Sequence, residues 1–208
     1  MNFFGHAVVA GWANGRAELT LGSMLPDFEA MTRVPLIAVR DAEIQRGIDL
    51  HHRTDDAFHR TAAFLSWNAS ALDALTEAGV RRGTARAVSH IAAEMFLDGW
   101  LAAQPVLADG YLAALDVDAN GRLRWKDGGE AYGRLHLRLS AWGTPLDYAE
   151  PNFVLGRLRD ALRRRPALAI AEEEHEPIAA LLPSLKRRVQ REARELLHEL
   201  RDALGWPD

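Results

Sequence analysis

Apolar residues recur three and four positions apart along most of the chain, and strict apolar–polar alternation is rare. β-Branched residues are sparse beside Ala, Leu, Arg and Glu, so helix is the favoured local state. The pattern predicts short helices near residues 2–12 and 17–25, the second ending at Pro26. A longer helix runs over 41–60 with Asp41 as its N-cap, and another covers 62–78 as far as Gly79. Thr84 is placed to cap a strongly apolar helix reaching residue 103. Helices near 106–115, 129–142 and 150–165 follow, separated by a polar loop at 116–129 and a break at 143–145. A last helix over 176–204 carries Pro183, an expected kink. No repeat or low-complexity linker interrupts the run. The pattern reads as all-α, a single helical domain over residues 1–208.

Composition narrows the chemistry. The 208 residues suffice for a sizeable core, and a net charge of −4 argues against a dedicated nucleic-acid binder. No cysteine is present, which excludes disulfides, thiolate metal sites, iron–sulfur clusters and cysteine nucleophiles. The opening MNFFGHAVVAGWANG lacks the basic start of a secretory signal, and no apolar stretch is long enough to span a membrane. The expected location is cytoplasmic. Eight histidines leave a histidine–carboxylate metal site as the open possibility.

Two segments carry that possibility. In AVSHIAAEMFLDGWL, residues 87–101, His90, Glu94 and Asp98 interrupt an otherwise apolar helix at i, i+4 and i+8. Carboxylates on a buried stripe need a counter-charge or a cation. In GIDLHHRTDDAFH, residues 47–59, either His51, Asp55 and His59 or His52, Asp56 and His59 form a matching stripe. Adjacent His51 and His52 cannot both face one centre. His6, alone in the first apolar helix, and Asp27, fixed after Pro26 in LGSMLPDF, complete the candidates. Imidazole and carboxylate donors suit zinc, manganese or iron, metals that support phosphoester hydrolysis. Asp27, His51, His90 and Asp98 are the first-choice ligands, with His6 beside them. Asp55 or Glu94 would serve a second metal or act as general base, and His59 or His52 would orient or protonate the leaving oxygen.

Other readings compete. A lone His6 suits a hydrogen-bonded core position, Asp27 suits a helix cap, and Arg46, Arg53 and Arg60 lie close enough in sequence to pair with the acidic stripes. On that view the chain is a non-catalytic helical binding protein. Asp116, Asp118, Asn120, Gly121 and Asp127 match a calcium-loop spacing. Asp replaces the usual Glu at its last position and Arg122 and Arg124 add positive charge, so a polar turn is the better reading. Basic stretches at 157–165 and 184–194 read as solvated helix faces or a dock for an acidic partner.

The blocks MNFFGH, LGSMLPDF, GIDLHHRTD and FLDGWL resemble, in order and spacing, those of the acyl carrier protein phosphodiesterase family. That family is an all-α relative of the HD-domain metal phosphohydrolases. The resemblance covers roughly the first half of the chain. It implies an HD-domain-like orthogonal helix bundle and a divalent metal, manganese first, with zinc or iron as alternatives. It also implies release of phosphopantetheine from holo acyl carrier protein, with His6, Asp27, His51, Asp55, Glu94 and Asp98 as the site. Gly99 and Trp100 stand where the family tends to have His after the aspartate. The early His, the Pro-Asp turn and the later His and Asp also look like zinc-dependent phospholipase C proteins.

Overall fold

The computed structural model describes residues 1–13 and 15–206. Its helices are α1 (Phe3–Ala13), α2 (Ala17–Thr32), α3 (Ala42–Phe58), α4 (Ala62–Glu77), α5 (Arg82–Ala102), α6 (Ala108–Leu115), α7 (Glu130–Trp142), α8 (Pro151–Leu162) and α9 (His175–Leu204). Two short strands, β1 (Leu36–Val39) and β2 (Leu123–Trp125), pair antiparallel with an irregularity between Leu36 and Ala38. The fold is all-α. Among the described residues no helix is long and apolar enough to cross a membrane.

The chain divides into two compact units, each built from two separate segments. Unit 1 comprises Met1–Asp56 and Leu101–Pro145. Its core gathers Phe3, Phe28 and Tyr111, with Phe3 centred 6.0 Å from each of the other two rings. Unit 2 comprises Ala57–Trp100 and Leu146–Asp208. There Trp67 of α4 is fully buried and its indole N–H donates to Glu192 of α9 at 2.6 Å. Glu174 takes the Arg81 guanidinium at 2.8 Å and caps the backbone at Ala171, which holds its carboxyl down at about 2.

Several local expectations change. Helix α2 does not stop at Pro26 but continues to Thr32, where Arg33 adopts a left-handed conformation with φ 60°. Buried Met24 and Leu25 before the proline and Phe28 after it keep one apolar face continuous, which offsets a local cost of about 3 kcal/mol. Asp27 therefore sits on a helix face rather than in a turn. Thr84 lies inside α5, which starts at Arg82, and Pro183 lies inside α9. Asp41 does cap α3, accepting from the amides of Glu43 at 2.9 Å and Ile44 at 3.1 Å. The ribbon was hidden in the sequence because a strand of three residues shows too little alternation to register. In the 116–127 segment Asp127 accepts from the amides of Gly129 and Ala131, both at 2.9 Å. That carboxylate serves the start of α7.

Helices α2 and α3 cross at two glycines. A methyl group on Gly22 would overlap the carbonyl oxygen of Ile44, and one on Gly47 would overlap that of Leu19. The neighbouring atoms are backbone, so neither helix can yield by turning a side chain. Gly47→Ala should therefore cost at least about 2–3 kcal/mol, the upper range for overpacking. Urea unfolding of the variant checks this; an unchanged midpoint would show that the crossing tolerates a side chain.

Candidate metal centres

The crossing of α2 and α3 positions the first group of ligand atoms. His6 on α1, Asp27 on α2 and His51 on α3 each offer one donor atom, all within 4.8 Å of one another. The His6 and His51 rings stack with centroids 3.8 Å apart. His6 is buried, and neither ring nitrogen has a hydrogen-bond partner. Burial draws its pKa down to about 3, so the ring is neutral at pH 7. Burial likewise brings His51 to about 4.

Ser23 organises the group from behind. Its hydroxyl donates to the His6 carbonyl at 3.1 Å and the Thr20 carbonyl at 2.8 Å. Its own carbonyl lies 2.8 Å from Nδ1 of His51. A carbonyl only accepts, so the His51 proton resides on Nδ1 and Nε2 keeps its lone pair for a ligand role. Asp55, one turn beyond His51, accepts from the Met1 ammonium at 2.7 Å and lies 3.7 Å from Nε2 of His6. His52 and Asp56 are exposed, and His52 lines a separate cleft with Pro26, Glu29 and Ile48. The stripe of α3 that turns inward is thus His51 and Asp55.

The second group lies within unit 2. His59, His90 and Glu94 again offer donor atoms within 4.8 Å of one another. Burial opposes ionisation of Glu94, but nearby positive charge and hydrogen bonds to His59 and His90 hold its carboxyl well below the usual range. Asp98 is fully buried one turn further along α5 and is not part of the His59, His90 and Glu94 group. Gly99 packs on the backbone of Tyr148 and Ala149, where a methyl would come within 2.5 Å of the Ala149 nitrogen. No side chain fits there, so the histidine of the resembled family has no place at this position.

Several supporting residues were not anticipated. Ser23 acts through its backbone carbonyl, which any residue could supply. Asn68 meets the His90 ring from a different helix. Gly22 and Gly47 did leave a signal, as isolated glycines inside helical patterns mark close backbone approach. Arg46 turns to Glu43 rather than to the ligand groups. No family model, curated protein or solved structure matches the chain.

The two depressed histidines predict an acid sensitivity. Both folded-state values lie below the ordinary 6.5, so the folded chain binds fewer protons than the unfolded chain. Their stabilisation is complete above about pH 6.5 and is lost as pH falls toward 4 and 3. Unfolding free energy of the metal-free protein should fall between pH 6.5 and 5, and a non-titrating His6→Gln variant should flatten part of that fall. A wild-type protein equally stable across this interval would contradict the burial of neutral imidazoles.

Proposed function

We propose that the chain is a divalent-metal-dependent phosphoric diester hydrolase acting on the phosphopantetheine linkage of holo acyl carrier protein. One observation carries the metal part of this reading. A buried imidazole with no hydrogen bond at either nitrogen stands beside a carboxylate and a second imidazole whose tautomer leaves Nε2 available. A buried ring without hydrogen bonds costs roughly 1–3 kcal/mol, and a cation between the three groups removes the part that falls on the ligating nitrogen. The donors fit manganese, zinc or iron, since they combine nitrogen and oxygen without sulfur.

His6, Asp27 and His51 would hold the ion, which supplies Lewis acidity toward water and phosphoryl oxygens. Their own contributions follow from the geometry. The Ser23 carbonyl keeps the proton of His51 away from the ligand side. Asp55, partly exposed and 3.7 Å from His6, is the carboxylate placed to take a proton from water. Burial around His6 and Phe3 keeps the charge of Asp27 effective by excluding solvent. The carrier-protein substrate rests on the resemblance in MNFFGH, LGSMLPDF and GIDLHHRTD. Exposed Arg163, Arg164 and Arg165 offer an acidic carrier a basic surface.

Purified protein should retain, or take up on titration, at least one equivalent of divalent metal and release phosphopantetheine from holo carrier protein. Asp27→Ala should lower metal content and turnover together, by more than about 100-fold for a lost ligand. Hydrolysis of a generic phosphodiester without carrier-protein cleavage would remove the substrate assignment and favour a phospholipase C-like activity. Less than a tenth of an equivalent of metal, with none taken up, would end the hydrolase reading in favour of a non-catalytic helical protein.

A further inference from the structure

We infer that unit 2 carries a metal centre of its own, a three-ligand zinc site formed by His59, His90 and Glu94 with its fourth position open. It stands independently of the phosphodiesterase reading, which rests on His6, Asp27 and His51.

The donor spacing is the first argument. Nε2 of His59 lies 3.2 Å from Nε2 of His90 and 3.3 Å from Oε1 of Glu94, and Nε2 of His90 lies 3.1 Å from that oxygen. Three atoms at nearly equal separations form a triangle. Zinc bonds of about 2.0–2.1 Å place tetrahedral ligands roughly 3.3 Å apart, so an ion just above this triangle would reach all three.

Hydrogen bonds among these three groups alone leave one edge of the triangle unsatisfied. Each neutral imidazole has one proton, and the ionised carboxylate only accepts. If both Nε2 atoms carry protons, two donors face each other across 3.2 Å. If only one does, the bare nitrogen of the other faces the carboxylate oxygen. A cation in the centre satisfies every edge at once.

The surrounding residues hold the triangle in place. The Thr61 hydroxyl donates to the Phe58 carbonyl at 2.8 Å and accepts from the Phe64 amide at 3.4 Å, fixing the turn that carries His59. The Phe64 ring meets His59 at 5.1 Å and His90 at 5.2 Å, both nearly edge-on. Behind His90, the Asn68 amide lies 3.3 Å from Nδ1 and accepts the Ser89 hydroxyl at 2.7 Å. The amide nitrogen is the atom that faces Nδ1 while the amide oxygen is taken by Ser89, and this contact fixes the plane of the His90 ring. Side-chain exposures of 30% for His59 and 39% for His90 leave a route for the ion and for a fourth ligand.

The test uses the full chain stripped of metal and titrated with Zn²⁺, then with Co²⁺ as a spectroscopic probe. Asp27→Asn should still bind one equivalent of zinc and show the intense visible absorption of tetrahedral cobalt. Adding His90→Gln to Asp27→Asn should remove that absorption while keeping the ellipticity and the unfolding midpoint of Asp27→Asn. Combining Asp27→Asn with His90→Gln should leave less than a tenth of an equivalent. Glu94→Gln, which preserves shape, gives the same comparison if His90→Gln unfolds. Zinc uptake absent from Asp27→Asn, or unaltered by both His90→Gln and Glu94→Gln, would overturn the proposal. A wild-type protein that fails only at the His6 group would leave this centre standing and remove the other.

Discussion

The backbone contact between α2 and α3 governs the geometry of the first ligand group. Gly22 and Gly47 bring the two helices closer than any side chain would allow. That approach carries the Ser23 carbonyl to Nδ1 of His51 and sets Asp27 beside the same ring. Ser23 also reaches the carbonyl of His6, so one small residue links α1 and α3 through α2. The arrangement is rigid because its parts are mostly backbone. It is also costly, since it buries two imidazoles that would otherwise be hydrated and hydrogen-bonded.

The two ligand groups solve the same problem differently. His6 is wholly enclosed and His51 nearly so, and burial keeps both neutral. In the second group the imidazoles are half-exposed and Glu94 is held ionised. The first depends on exclusion of water and on a fixed tautomer. The second depends on close donor spacing, with Phe64 and Asn68 setting the orientation of the rings. Both avoid sulfur, as a chain without cysteine must.

Much of this was legible in the sequence because helical spacing translates directly into shared faces. The i, i+4 steps between His51 and Asp55 and between His90 and Glu94 are such cases. The all-α class followed from the same periodicity. Other features had no one-dimensional signature. Which of His51 and His52 faces inward depends on the rotation of α3, and that is set by the contact at Gly47. Asp27 was singled out on the expectation of a proline turn, yet it reaches His51 because α2 runs straight through Pro26. Asp98 continues the α5 stripe in sequence but lies outside the ligand group that His90 and Glu94 join. Ser23 contributes a carbonyl and Asn68 a contact from another helix, neither of which spacing along the chain can reveal.

Anomalous diffraction from crystals grown with manganese or zinc tests the central claim most directly. The account places a difference peak within about 2.3 Å of donor atoms from His6, Asp27 and His51, a bonding distance for these metals. A map with no peak there, and with ordered water bonded to the nitrogens of His6 instead, would contradict it.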